Sequence, residues 1–318
     1  MSQSGQAKYD IEDEIDLKEI FHIIWVGRWY ILIAICLFTL VGLAYALYKK
    51  NIYQANVLVI PVQEETGHLA SIGSQLGGLA NLAGVSLGGD RSNKGTLAIE
   101  IMRSNTFLKD FILRNNLVKP LFAVEGWDPA ESRWIYDTNR YNPESGTWLT
   151  DDEGESQRPS DWEMVTVFKE DHLRIAKNDD TGMVTVGIRH YSPELSKEIV
   201  ETLLSDINEY MRRQDVEESE ARIEYLEAKL RDTSITDMQK MFYQLIESET
   251  RTLMLANARK EYIFETVDPA LMPEEPVEPK RLIILIVAVL LGAGTGVFIA
   301  LMKALFITEK GVDLESTD

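Results

Sequence analysis

The chain has 318 residues, with 32 Lys and Arg against 51 Asp and Glu and a net charge of −19. That balance excludes a nucleic-acid partner, which needs a clustered basic surface. The single cysteine, Cys36, excludes an internal disulfide framework and a cysteine-cluster zinc site, and the four histidines include no i,i+3 or i,i+4 pair.

In chain order, residues 1–28 form a charged tail and residues 29–48 the first apolar block. The block opens with Trp29 and Tyr30, closes with Tyr48 and carries no charge. It matches the roughly 20 residues that a helix needs to cross a bilayer, with aromatics at headgroup level. It is too long and too far from the start for a cleavable signal peptide, and no Ala-x-Ala-like site follows it. A second uncharged block, residues 282–302, has the same length and character. Two crossings place both termini on one side and residues 49–281 on the other. Lysine and arginine are nearly balanced around both blocks, so composition leaves the orientation open.

After the first crossing, Ile52–Ile60 is β-branched and ends at Pro61, which predicts a strand. Residues 69–89 are Gly-rich and mildly apolar, a weak helix and loop or an apolar flap; they lack the order of a phosphate loop. Helices are expected near 95–103 and 105–116. Residues 120–160 read as a loop-rich insert with Trp127, Trp134 and Trp148 among Asp, Gly and Pro. Such indoles either stack on a sugar ring or plug a small satellite core, and the second reading is preferred. A helix near 160–169 precedes strands at Leu173–Lys177 and Met183–Arg189, joined by a turn at Asn178–Gly182.

From Glu194 to Thr266 there is neither proline nor glycine. Ser192 and Pro193 start a helix. Its apolar stripe (Leu195, Ile199, Leu203, Ile207 and Tyr210) gives way to a polar stretch over 212–222 and resumes at Ile223, Leu226 and Leu230. A break at 232–234 and a capping box at Thr236–Gln239 start a second helix, with Met238, Phe242, Leu245, Leu253 and Ala256 on one side. The first helix would span about 58 Å at ~1.5 Å per residue. Its polar middle cannot enter a core, so the pair should stand out as an arm over 194–260, held by pairs such as Glu218–Arg222 and Glu227–Arg231. Ile223, Leu226, Leu230, Phe242, Leu245 and Leu253 are its expected packing or oligomer contacts. A hairpin this thin calls for sister copies beside it.

Strand character returns at Tyr262–Val267, antiparallel to the first strand. Pro269, Pro273, Pro276 and Pro279 then make a stiff juxtamembrane connection. In the second crossing Ala288, Gly292, Gly296 and Ala300 recur every four residues, a face that lets another helix approach closely. The Gly292–Gly296 run is no dinucleotide loop, since it lies inside a membrane span and lacks the third glycine.

No catalytic or metal constellation and no cofactor motif is legible. His172 and His190 have no nucleophile nearby. Asp151–Glu153 and Asp179–Asp180 lack the ligand spacing of a calcium loop and read as solvated turns. A sugar-cleaving enzyme would need a carboxylate pair in a cleft, which nothing supports.

Asp13-Glu14-Ile15-Asp16-Leu17 running into Ile24-Trp25-Val26-Gly27-Arg28-Trp29 resembles the N-terminal signature of the Wzz-type chain-length determinants, the polysaccharide co-polymerases. So do Tyr243–Glu247, Thr252–Asn257, Val267–Ala270 and the lead-in Pro276-x-x-Pro279-Lys280-Arg281 with its Gly-rich crossing. The resemblance touches both ends and the helical hairpin, leaving 120–160 outside it.

It implies an α+β membrane protein in which two transmembrane helices flank a periplasmic α/β base domain (49–193 and 261–281) with a long protruding helical hairpin. Both termini, including the tail 303–318, would be cytoplasmic at the bacterial inner membrane. Protomers would form a hollow ring that sets the modal length of O-antigen or a related glycan. That glycan is made by a Wzy-type polymerase on an undecaprenyl-linked precursor. The family is not enzymatic. The alternative is a membrane adaptor of a capsule or exopolysaccharide export system working with a separate tyrosine kinase; the chain has no Walker motif, and a tail of about sixteen residues argues against a fused kinase.

Overall fold

The computed structural model describes residues 25–62 and 94–315; the tail up to residue 24 and the glycine-rich stretch at 69–89 lie outside the described residues. The elements run α1 (Arg28–Tyr48), β1 (Tyr53–Pro61), α2 (Lys94–Met102), α3 (Asn105–Arg114) and α4 (Val118–Phe122). The insert follows with β2 (Val124–Asp128), β3 (Arg133–Tyr136), β4 (Tyr141–Asn142) and β5 (Thr147–Trp148). Then come α5 (Asp161–Val167) with a π-helical turn (Phe168–His172), β6 (Leu173–Lys177), β7 (Val184–His190), α6 (Pro193–Asp232) and α7 (Thr236–Ala258). β8 (Phe264–Asp268) and α8 (Arg281–Glu315) end the chain. Two units result, one holding α1 and α8 and the other Asn51–Val277.

In the first unit α1 and α8 pack antiparallel. A Cβ on Gly292 would stand 2.7 Å from the Ile35 Cα, and one on Gly296 would stand 2.6 Å from the Ile31 Cα. On the other helix, a Cβ on Gly42 would meet the Ala288 side chain at 2.7 Å. These glycines therefore let the two backbones touch. Many of the large apolar side chains on the outer faces, among them Leu32, Leu37, Leu40, Leu290, Leu291 and Phe298, are exposed. In water such a surface would be untenable, whereas a bilayer is its solvent. Both helices are long and apolar enough to cross one.

The second unit is built on an antiparallel sheet of order β6-β7-β1-β8. β1 pairs with β7 from Tyr53↔His190 to Val59↔Val184, and with β8 from Leu58↔Asp268 to Pro61↔Phe264. Ala55, Val57 and Val59 alternate inward on β1, as do Val184, Val186 and Ile188 on β7, giving the two-residue period of a half-buried sheet. The first half of α6 covers this face with Leu195, Ile199, Leu203, Ile207 and Met211, all buried. α2, α3 and α5 complete the same core through Met102, Phe107, Phe111, Met164 and Phe168. The β6–β7 turn is the expected one: the Asn178 side chain accepts from the Asp180 and Thr181 N–H groups, and Gly182 takes a φ of +70°.

The arm starts higher than the sequence places it. Residues 195–211 belong to the base core, because their apolar stripe has a sheet to lie on, and only the part of α6 beyond Met211 pairs with α7. The expected capping box also does not form. Ile235 stands at the N-cap of α7 without a side-chain bond, and Gln239 turns its amide to the Thr233 carbonyl at 2.9 Å instead.

Candidate functional site

Two sets of residues define the arm. Along α6, Val216, Ser219, Ile223, Leu226 and Leu230 face inward at spacings of three and four, opposite Phe242, Ile246, Glu249, Leu253 and Ala256 of α7. Spacings of three and four keep these positions on one face of each helix. A polar layer interrupts it: the buried Ser219 hydroxyl donates to Glu249 at 2.9 Å, and Arg222 reaches Glu249 at 3.2 Å while also pairing with Glu218. Leu245, expected in the packed stripe, is instead 45% exposed. Polar Gln239 and Glu249 hold inward positions of the true stripe, so hydrophobicity alone shifts the face by a residue. The Glu227–Arg231 pair does not form among the described residues.

At the arm's root, polar residues fasten α6 to the returning strand. The Asn208 carbonyl oxygen accepts from three backbone N–H groups, Tyr262 at 3.1 Å, Ile263 at 2.8 Å and Phe264 at 2.9 Å. Its amide donates back to the Phe264 carbonyl at 3.2 Å. One turn on, Arg212 donates to the Arg259 and Lys260 carbonyls at 2.8 and 2.7 Å, the orphan acceptors past the end of α7. Asp215 then takes the Tyr262 hydroxyl at 2.5 Å and the Lys94 ammonium at 2.9 Å. The spacing of 208, 212 and 215 puts all three on one face of α6.

His172 and His190 stack below this root, ring centroids 6.1 Å apart, at the end of a row of rings that includes Phe107, Phe111 and Phe168. His190 is held by opposite partners. One ring nitrogen meets the Pro120 carbonyl at 3.0 Å and the other receives the Ser192 N–H at 2.9 Å. These partners require a neutral ring with the proton on Nε2. Burial pushes its pKa down to about 4, and burial also lowers that of His172. Among the described residues no group of three or more His, Cys, Asp or Glu is placed to bind a metal.

Comparison with known sequences decides what this architecture belongs to. Residues 13–114 match the family model described as "Chain length determinant protein" (Wzz), and residues 231–305 match the one described as "G-rich domain on putative tyrosine kinase" (GNVR). The chain therefore carries a chain length determinant (Wzz) domain and, nearer its other end, a GNVR domain. The first matched segment holds α1, β1, α2 and α3, and the second holds α7, β8 and most of α8. Among solved structures the chain is similar to a "full-length bacterial polysaccharide co-polymerase", at 13% identity over 93% of this chain and 99% of that one, TM-score 0.39. It is also similar to a fragment of WzzB from Salmonella Typhimurium, at 10% identity over 72% and 100%, TM-score 0.25. No curated protein matches.

Ala288, Gly292 and Gly296 line the face of α8 that meets α1, and Ala300 is buried. Gly294 has nothing within 4 Å and lies off that face. Pro269, Pro273 and Pro276 lie in the strandless segment after β8, where the Val277 N–H donates to the Ile52 carbonyl at 2.8 Å; Pro279 precedes α8. The contacts by which Asn208, Arg212 and Asp215 hold the returning chain carry no sequence signal, since those partners lie 47 or more residues away.

Proposed function

We propose that the protein is a non-enzymatic, oligomeric regulator that sets the modal length of O-antigen or a related surface polysaccharide. It would act beside a Wzy-type polymerase and its undecaprenyl-linked glycan. The match of residues 13–114 to the chain length determinant model carries this reading. The arm supports it. A long, largely wet hairpin with a one-residue-wide apolar seam is suited to standing beside copies of itself in a ring. In this reading both termini are cytoplasmic and Asn51–Val277 is periplasmic. Ala288, Gly292, Gly296 and Ala300 pack the membrane pair, the four prolines set the juxtamembrane connection, Ile223, Leu226, Leu230, Phe242 and Leu253 pack the arm, and the exposed Leu245 is left for contact between copies.

Deleting the gene and running the surface glycan on a gel tests it. The modal cluster of bands should collapse into a length distribution that decays smoothly, and an unchanged ladder rejects the proposal. Reporter fusions at both ends test the orientation, and a periplasmic signal from either end overturns it. The match of residues 231–305 to the G-rich kinase-associated model favours a second reading, an export-system adaptor with a separate tyrosine kinase. Co-purification of a kinase with the membrane-extracted protein would select it.

A further inference from the structure

The insert contains a groove that the length-regulation reading leaves unused. Trp127 and Trp134 are direct partners in the β2–β3 ladder, so both indoles lie on one face of that ribbon. Facing them is the first turn and a half of α6. There Ser192 caps the helix by accepting from the Leu195 N–H at 3.3 Å, Leu195 is buried, and Glu194 and Glu198 stand one turn apart with exposed carboxylates. Trp127, Trp134, Ser132, Glu194, Leu195 and Glu198 line an open groove of about 380 Å³, within the roughly 300–1,000 Å³ range of small-ligand clefts. Ser132, at its rim, takes a φ of +48°, a backbone region that a non-glycine residue rarely adopts.

We propose that this groove binds a saccharide ring of the glycan on which the protein acts, a proposal that rests on the length-regulation reading. Flat indole faces accept the apolar C–H face of a pyranose, and carboxylates beside them accept hydrogen bonds from its hydroxyls. Anionic and purely apolar ligands fit poorly, and an organic cation is the competitor that the test must separate. The lining has no Lys or Arg, and two carboxylates repel a phosphate or a nucleotide. A purely apolar ligand would leave both carboxylates and Ser132 facing it without gain. Trp134 serves both purposes, since it packs against the base core while also lining the groove. The groove is anchored as well. Ser192 is fixed by the His190 ring, which also holds the Pro120 carbonyl just before β2.

The test uses the full-length protein in lipid nanodiscs free of sugar-based detergent. Probes are oligosaccharides released by mild acid from the surface glycan of the strain carrying the gene, with maltoheptaose and choline chloride for comparison. Binding is read by saturation-transfer NMR and calorimetry. The released oligosaccharide should bind, and Trp127→Ala and Glu198→Gln should each weaken it about tenfold. Trp162→Ala should not change it, since that indole is 74% exposed and outside the groove. If Trp127→Ala does not fold, as judged by its melting curve, Glu194→Gln with Glu198→Gln carries the comparison. No saccharide binding, equal binding by every variant, or preferential binding of choline overturns the proposal. The length reading fails separately. If gene deletion leaves the ladder unchanged, that reading is lost whatever the groove binds. If deletion abolishes modality while the groove variants neither bind less nor alter the ladder, only the groove proposal is lost.

Discussion

Lowering the pH from 7 to 5 should destabilise the base unit through His190. In the fold its ring is neutral, with Nε2 donating to Pro120 and Nδ1 receiving the Ser192 N–H. A second proton on Nδ1 would face that N–H, a donor against a donor, in a site that burial makes hostile to charge. The folded value near 4 lies below the ordinary 6.5, so between these limits the unfolded chain binds more protons. Stability is therefore full above about pH 6.5 and falls as the pH drops towards 4. Each pH unit separating the two values is worth about 1.4 kcal/mol. The whole difference is then about 3 kcal/mol, of which about 2 kcal/mol is lost by pH 5.

Chemical denaturation followed by tryptophan fluorescence measures this, comparing the native protein with His190→Gln. Glutamine offers the same donor to Pro120 and the same acceptor to Ser192 but does not titrate. Its stability should change about 2 kcal/mol less than the native protein's between pH 7 and pH 5. His172, lowered in the same direction by burial, leaves a residual slope that His172→Gln should reduce. Parallel pH curves for the native protein and His190→Gln would refute the reasoning.

Asn208→Ala strands three buried N–H groups, each costing about 1–3 kcal/mol, so the denaturation midpoint should fall by the equivalent of at least about 3 kcal/mol. Asn208→Asp, which keeps the acceptor, should fall less, and an unchanged midpoint for the alanine variant would contradict the bracket. Gly296→Leu forces apart two backbones now in contact, an overpacking cost of about 1–3 kcal/mol. Its melting temperature in nanodiscs should drop by several degrees while Gly294→Leu melts as the native protein does, and equal melting of both variants counts against the close approach. Leu226→Glu, in the half-buried arm seam, should cost about 1–3 kcal/mol and speed hydrogen exchange along α7. Leu245→Glu, exposed in the single protomer, should change that protomer's own stability by no more than about 0.5 kcal/mol, and identical exchange in the two would overturn the assigned seam.

Local patterns were readable because their causes are local. Two uncharged blocks of twenty residues admit one solvent, and Ser192–Pro193 followed by forty residues without a breaker admits one long helix. The strand positions and the Asn178–Gly182 turn follow from β-branching and from a side chain that caps its own backbone. Long-range features escaped for the complementary reason. Asn208 is an unremarked polar residue on a helix until β8 arrives 56 residues later, and His190 looks like an idle histidine until the Pro120 carbonyl is placed beside it. Leu245 falls outside the inward seam of the single protomer because that seam's layer includes Glu249, whose partners Ser219 and Arg222 sit on the other helix. The capping box failed because Thr236 is the first helical residue rather than the cap, so its hydroxyl has no free N–H of the right spacing to accept.

The distribution of polarity along α6 explains how one helix serves two environments. At about 1.5 Å per residue its forty residues extend about 60 Å, and no side chain changes the helix's course between base and arm. What changes is the partner: a sheet as far as Met211, then a second helix. A flexible junction would let the arm swing, because the seam beyond it is narrow and half-wet. Asn208, Arg212 and Asp215 stand at that junction and bind the chain returning from α7 back onto α6, so the arm's direction follows the packing of Leu203 and Ile207 against the sheet. In the proposed reading, a regulator that reads length through geometry would need this kind of rigidity. The fold supplies it with hydrogen bonds to backbone groups, which leave the outer surface of the arm free to vary.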